Sequence, residues 1–410
     1  MSFFSLKSPV GRSVIFCAVF FAVEFLGSIG IGVISIRNIV LGMMILYLFV
    51  NRAQNIRYNI TPVKYLFVYY IYVAFIGLFS DLYDGQGYTL VFARMLPSAI
   101  VFFFALKFIN GKKMLNYILL ILPVWVIIDG VVTILQGVNY PLGWVLASIT
   151  KSSDNMGEGV AKIELIGNSI GTSSASGLLG SVVGNGFFLA SYGLLFCIPL
   201  LYTRKIWGVI YSFLIFLICV IALFYNQQRI AFFAYLLMAC CIYLYYIVSS
   251  KSYKTGLLIF LIYVMILYPQ VGDKITGDMG RLSNVNEKEV VERTRLTESY
   301  FSEYFIQPDN FILGNRTKWE ITHDGETPHN MFAETGLQGG VFGLVLYVLF
   351  LIKLFRDIII SLFRRRIKAS ILAGIILSIV IISLTHSSGF HSGVTFAVLA
   401  CALYILSKRF

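Results

Sequence analysis

The sequence predicts an all-α polytopic membrane protein with about twelve transmembrane helices and one large, partly helical external loop between spans 9 and 10. Composition is the first observation behind this class, because hydrophobic residues fill 58% of the 410 positions and charged residues only 13%. No soluble domain buries so much apolar surface, so lipid must solvate much of the chain. The second observation is that apolar runs of near-spanning length recur from one end of the sequence to the other.

Each predicted span is an apolar run close to the ~20 residues that a bilayer requires. The first two runs are separated only by a short glycine-rich stretch at 27–32. The twelve runs lie at 13–30, 31–50, 63–80, 88–109, 115–136, 177–202, 205–225, 229–248, 255–270, 339–357, 369–387 and 391–407.

Three regions follow from this layout. Residues 1–270 contain spans 1–9, with an external loop near 137–176. Residues 271–338 form the large external loop, and residues 339–410 contain spans 10–12. Apolar residues recur at helix-like spacing between Asn286 and Phe305, which predicts a helix inside the large loop.

Lysine and arginine residues set the orientation of the spans. With the N-terminus inside, alternate loops collect 20 of the 32 basic residues but only one acidic residue, Asp357. Both termini are therefore predicted to be cytoplasmic, and the large loop is predicted to be external. The net charge of +12 follows this sidedness, so it indicates topology and not nucleic-acid binding.

All four histidines, His323, His329, His386 and His391, fall on the predicted external side. The simplest interpretation of His323 is a solvated loop residue, while His386 and His391 flank the last external turn and could cap helix ends. His329 differs because it closes the longest polar segment of the chain and leads directly into an apolar helix. The six cysteines all lie inside apolar runs without metal-ligand spacing, so no metal site is predicted.

A motif follows His329. His329-Asn330, nine further residues and then a glycine-rich stretch from Gly340 to Gly343 resemble the signature of the O-antigen polymerase and O-antigen ligase superfamily. Small residues at this spacing let helices approach closely, which would fix His329 above a cavity. Whether His329 is a general base or an orienting group stays open.

The resemblance extends to arginine motifs. Arg229 opens a span after an external turn, and Arg293 and Arg295 lie in the large loop at positions similar to the second arginine motif of the superfamily. The glycine- and serine-rich stretch 166–186 also resembles a small-residue segment before a mid-chain span.

Proteins of this superfamily are bacterial membrane glycosyltransferases of the C type. The resemblance implies an undecaprenyl-pyrophosphate-linked oligosaccharide as donor, a glycan or lipid A-core as acceptor, and a chain-length regulator protein as a further partner. It places the reaction on the periplasmic face of the inner membrane and requires no cofactor. A repeat-unit polymerase is favoured because nothing in the chain is dedicated to a lipid A-core acceptor, and an O-antigen ligase is the alternative.

Physical chemistry supports the same residue types. Guanidinium groups pair two phosphate oxygens in a fork, and a histidine can accept the proton of an acceptor hydroxyl. No acid-rich metal cage is present, so arginines would neutralise the pyrophosphate without a metal. The candidates for this role are Arg229, Arg295, Arg293 and Arg94.

Each arginine also has a structural interpretation. Arg229 and Arg94 could extend to lipid headgroups, and Arg293 and Arg295 could form surface ion pairs with nearby glutamates. Asp129 and Glu24, inside predicted spans, are candidate partners for the cations of neighbouring spans, which include Arg37 and Arg94.

A transporter or flippase is the competing function from another class. Twelve spans with internal termini suit a transporter, but transporters commonly show two matched halves with ionisable groups near the bilayer midplane. Here the charged residues within the spans gather near the outer boundary, which favours an enzyme acting on the outer face.

Overall fold

A computed structural model gives the structure of most of the chain. In those residues the only strands are β1 (Gly30–Ile31) and β2 (Ile34–Ser35), a short antiparallel pair. The described residues are 8–26, 30–31, 34–51, 59–79, 94–150, 175–179, 181–202, 206–249, 295–323, 328–364, 366–386, 390 and 395–410.

Fifteen α-helices have both of their ends within these residues. A 3₁₀ turn, Gly193–Phe196, joins two of them, and a π-helical turn, Tyr300–Tyr304, belongs to the predicted large loop. The α-helices are α1 (Pro9–Phe25), α2 (Ile36–Val50), α3 (Thr61–Phe79), α4 (Leu96–Phe108), α5 (Lys112–Gly137), α6 (Pro141–Thr150), α7 (Val182–Tyr192), α8 (Cys197–Tyr202), α9 (Ile206–Asn226), α10 (Arg229–Ser249), α11 (Pro308–Leu313), α12 (Arg316–Thr322), α13 (Met331–Phe363), α14 (Ile367–Ser383) and α15 (Thr395–Arg409).

Helices coincide with eleven of the twelve apolar runs that the sequence predicts to span the membrane. The run at 255–270 lies outside the described residues. By length and composition, three described helical segments are able to cross a membrane: Lys112–Gly137, Val182–Tyr202 and Ile206–Asn226. The chain is thus a helical protein with membrane-spanning character, and the count of twelve spans stays a prediction.

The segment predicted to be the large loop is largely helical where it is described. Residues from Arg295 onward are helical and continue into the π-helical turn Tyr300–Tyr304. Pro308 begins α11 at a position where its missing amide costs no hydrogen bond. The helix predicted from the spacing of apolar residues is therefore present over its described part.

Two elements differ from the sequence prediction. A further helix, α6, lies within the predicted external stretch near 137–176. Helix α13 begins at Met331, before the predicted start of span 10 at 339, because Asn330 caps it there. The backbone of Gly340 then interrupts α13 with φ 55° and ψ −154°, so a short helical segment precedes the long apolar one.

The described helices group into two units. The first comprises residues 1–40, 112–286 and 365–378. Within it α5 packs against α1 and α9, and the rings of Phe21 and Trp125 stack with centroids 3.8 Å apart.

The second unit comprises residues 41–111, 287–364 and 379–410. Helix α13 packs along α3, and α15 packs along α4. Near the chain terminus, Lys408 pairs with Asp357 at 2.5 Å. The predicted large loop docks on the first turns of α13 through α11, and this contact positions the candidate site.

Candidate active site

His329 lies immediately before α13, and its neighbour Asn330 fixes the start of that helix. The side-chain oxygen of Asn330 accepts hydrogen bonds from the backbone amides of Phe332 and Ala333, at 2.9 and 3.5 Å. Asparagine is preferred at such an N-cap because its oxygen satisfies amides that the helix leaves unpaired. The Asn330 amide nitrogen donates to the carbonyl oxygen of Leu384, 3.2 Å away. His329, half-buried, is thereby held between the first turn of α13 and the end of α14.

A second histidine lies beside His329. The imidazole rings of His329 and His386 have centroids 6.3 Å apart and are inclined at 77°. The hydrogen bond from Asn330 to Leu384 explains this proximity, because it ties the segment that carries His386 to the start of α13. His391 lies outside the described residues.

His323 has a different environment. Its ring stacks on Trp319 with centroids 3.6 Å apart, and its Nδ1 lies 2.9 Å from the Thr322 hydroxyl. Its backbone amide bonds to the Trp319 carbonyl and so closes α12. His323 is therefore half-buried and packed at a helix end, and the expectation of a solvated loop residue is only partly met.

A buried ion pair lies one turn into α13. Glu334 is 3% exposed, and its Oε1 lies 2.7 Å from Nη1 of Arg316. Burying an unpaired carboxylate would cost several kcal/mol. Glu334 can be buried here because Arg316 pairs with it. The negative charge also lies in the first turn of α13, where the helix dipole favours it.

Two further side chains extend this pair. Gln338 donates from Nε2 to Oε1 of Glu334 at 2.9 Å, and the Tyr69 hydroxyl donates to Oε1 of Gln338 at 2.7 Å. Tyr69 and Gln338 are both fully buried. The network therefore runs from the edge of the predicted loop, at Arg316, into the packed contact between α3 and α13.

Arg94 lies close to this network. It interacts electrostatically with both Arg316 and Glu334, and its side chain is exposed. Arg94 and Arg316 thus both lie within electrostatic range of one carboxylate, and the three side chains carry a net charge of +1. The structure places this candidate from the sequence within the same unit as His329.

Arg295 is exposed and lies on the helical segment that leads into Tyr300. That segment is docked on α13 by an aromatic and aliphatic cluster, so Arg295 belongs to a packed element and not to an open loop. Arg293 lies outside the described residues. The buried residues of this cluster are Leu296, Tyr300, Tyr304, Trp319, Ala333 and Leu337.

Arg229 belongs to the first unit, where it is the first residue of α10. The preceding turn contains Gln227 with a positive φ of 59°, a conformation that non-glycine residues adopt only a few per cent of the time. Arg229 therefore lies at the start of a helix, at the position where the sequence predicts the start of a span.

Glycines allow the backbone of the predicted loop to come into direct contact with the backbone of α13. A Cβ on Gly340 would lie 2.3 Å from the carbonyl oxygen of Ile312 in α11, and one on Gly314 would lie 2.6 Å from the Gly336 carbonyl oxygen. Both glycines have positive φ, at 55° and 73°. A Cβ on Gly343 would lie 3.2 Å from the Tyr69 ring. These close contacts explain why glycines occur in the motif that follows His329.

Sequence reasoning did not assign Glu334, Arg316 or His386 to the site. A glutamate followed directly by an apolar stretch indicates an ion pair, because a charge at that position needs a partner of opposite sign. The partner could not be identified, since Arg316 and Glu334 meet only when α12 docks on α13. The sequence leaves open whether His386 belongs to the external site or caps a helix end.

The residues assembled here supply two kinds of chemistry. His329 and His386 provide imidazoles able to accept or donate a proton. Arg94 and Arg316 provide guanidinium groups of the kind that binds phosphate oxygens in pairs.

Comparison with known proteins adds no identification. No protein-family model matches the chain, and no curated protein is similar enough to count as a match.

Proposed function

We propose that this chain is a membrane glycosyltransferase that moves a glycan from a polyprenyl-pyrophosphate donor to an acceptor hydroxyl, as a polysaccharide repeat-unit polymerase. The observation that carries the proposal is the placement of His329 at the start of α13, one turn from the Glu334–Arg316 pair. A proton acceptor and a cationic surface are the two parts that such a reaction requires.

The side chains of Arg94 and Arg316 would bind the pyrophosphate of the donor. Arg94 is exposed and Arg316 is 23% exposed, so both can reach a ligand, while the carboxylate of Glu334 holds Arg316 in one orientation. A guanidinium held in place loses little conformational freedom when it binds phosphate. Arg295 and Arg293 remain proposed contacts for the same group or its lipid, and Arg229, in the first unit, stays a phosphate-binding candidate from its sequence position alone.

The histidine part would act on the acceptor. The acceptor hydroxyl oxygen forms a bond to the anomeric carbon of the donor sugar, and its proton passes to the imidazole of His329. The bond between the anomeric carbon and the phosphate oxygen breaks, and its electron pair leaves with the polyprenyl pyrophosphate. His386, with its ring centroid 6.3 Å away, would orient the His329 ring.

The cellular setting follows from charge and composition. The asymmetric distribution of lysine and arginine supports cytoplasmic termini and a periplasmic site in a bacterial inner membrane. The donor would be an undecaprenyl-pyrophosphate-linked oligosaccharide, and the arginines would act in place of a metal ion. A chain-length regulator protein is the proposed protein partner.

A lipopolysaccharide gel of a deletion strain tests this proposal. We expect a single repeat unit on the core, because a polymerase is needed only for the second and later units. Bare core with accumulated lipid-linked polymer would instead identify a ligase that transfers glycan to lipid A-core. Loss of lipid-linked repeats from the outer face would identify a flippase and overturn the enzymatic assignment.

A further inference from the structure

Exposed apolar side chains gather at one place in the predicted large loop, around helix α11. Ile306 is 65% exposed, Ile312 is 50% exposed, and Phe311 and Leu313 are exposed as well. These four side chains form the α11 apolar patch. A contiguous apolar patch on a protein surface indicates contact with another protein or with a membrane.

Backbone contacts fix α11 against two helices that the sequence predicts to span the membrane. A Cβ on Gly340 of α13 would lie 2.7 Å from the Phe311 carbonyl oxygen. The Tyr72 hydroxyl of α3 donates to the Ile312 carbonyl oxygen at 3.4 Å. The carbonyl groups of Phe311 and Ile312 therefore face α13 and α3, while their side chains stay exposed.

The α11 apolar patch is continuous with an exposed apolar stripe on α13. The spacing of the residues in this stripe places them on one face of the helix. They are Phe342, Val345, Ile352 and Ile359. Tyr72 links the patch to the stripe, because its ring centroid lies 6.3 Å from that of Phe342 and its hydroxyl reaches Ile312. On a helix predicted to span a bilayer, such a stripe is the surface that meets lipid.

The position of the patch along α13 also favours lipid. Ile312 lies against Gly340, and the sequence predicts that span 10 begins at 339. The patch is thus level with the predicted outer boundary of the membrane. At such a boundary a short segment can place its apolar side chains among acyl chains while its polar side remains in the headgroup region.

The backbone around α11 meets the requirement that lipid imposes. Backbone groups near acyl chains must find hydrogen bonds within the protein, because no water is present to supply them. The Phe311 amide donates to the Gln307 carbonyl at 2.8 Å, and the Gly314 amide donates to the Asn310 carbonyl at 2.9 Å. The Ile312 carbonyl is satisfied by Tyr72.

We propose that the α11 apolar patch inserts among the phospholipid acyl chains of the outer leaflet and anchors the predicted loop to the membrane beside α13. Arg316 follows shortly after Leu313, so the insertion would hold its guanidinium, paired with Glu334, near the lipid headgroups. The inference does not rest on the proposed glycan transfer, because its test uses vesicles that contain no polyprenyl lipid.

Photo-crosslinking of the full-length protein tests this inference. Ile306→p-benzoylphenylalanine and Ile312→p-benzoylphenylalanine are each reconstituted in vesicles of phosphatidylethanolamine and phosphatidylglycerol and irradiated. We expect intact-mass spectra of both variants to show a shift equal to the mass of one phospholipid. Val345→p-benzoylphenylalanine, on the exposed stripe of α13, should show the same shift. Glu298→p-benzoylphenylalanine is the matched control and should show none, because Glu298 is exposed and a carboxylate is costly among acyl chains.

Absence of the phospholipid shift from both the Ile306 and the Ile312 variants would overturn the proposal. Crosslinks from these positions to a second copy of the chain, in place of phospholipid, would identify a protein interface and would also contradict it. A phospholipid yield at Glu298 equal to that at Ile312 would show that the patch has no special contact with lipid.

Discussion

Glu334 carries a carboxylate into the buried start of α13, and Arg316 and Gln338 are the groups that bind it. Glu334 lies among the nine unspecified residues of the motif and Arg316 lies outside it, yet the pair connects the predicted loop to the helix that follows His329. In the proposed reaction Glu334 would act through Arg316, as a residue that positions a phosphate ligand. Its effect on folding can be measured apart from activity.

Glu334→Ala is expected to lower the free energy of unfolding by about 1–3 kcal/mol, because it leaves Arg316 and Gln338 without their acceptor. The partial exposure of Arg316 limits the loss, since water can solvate the released guanidinium. Chemical unfolding of the purified protein measures this change. Glu303→Ala, at an exposed position, is the matched control and should change stability by less than about 0.5 kcal/mol. Equal effects of the two substitutions would show that the ion pair contributes nothing.

At the scale of elements, the contact between α11 and α13 depends on two glycines with positive φ, Gly314 and Gly340. Because these glycines have no side chains, the backbone around α11 contacts the backbone of α13 directly. The predicted loop therefore docks on the helix that Asn330 caps. The same interruption at Gly340 separates the short segment that carries Glu334 from the long apolar segment. The glycines of the motif therefore act on His329 indirectly, through the packing of α13.

Gly340→Ala is expected to destabilise the protein by more than about 2 kcal/mol, since a Cβ would lie 2.3 Å from a backbone oxygen and the positive φ would be strained. Gly42→Ala is the matched control, because nothing lies within 4 Å of a Cβ at that helical position. It should be neutral or stabilising by up to about 1 kcal/mol. Unfolding temperatures of both variants provide the comparison, and a Gly340→Ala protein as stable as Gly42→Ala would contradict the packing argument.

For the whole molecule, the lengths of apolar runs were enough to predict most helices, because a run of about twenty apolar residues has few alternatives to a helix in lipid. The pairing of Arg316 with Glu334 and the approach of His386 to His329 could not be predicted. Both depend on how separate helices dock, and the periodicity of one segment carries no information about its partner. Helix α6 was missed because it lies in a stretch that the charge pattern assigned to an external loop. The Asn330 cap, in contrast, is a local feature that the sequence contains in full.

In the proposed reaction His329 accepts the proton of the acceptor during glycan transfer from a lipid pyrophosphate. Purified protein in liposomes, supplied with lipid-linked repeat units, should form a ladder of longer lipid-linked glycans. His329→Ala should slow this reaction by about 10²–10⁴-fold while leaving the unfolding temperature unchanged. His323→Ala, which removes a histidine from the same predicted loop, should keep wild-type activity once folded. Transfer by His329→Ala at the wild-type rate would show that His329 is not the proton acceptor.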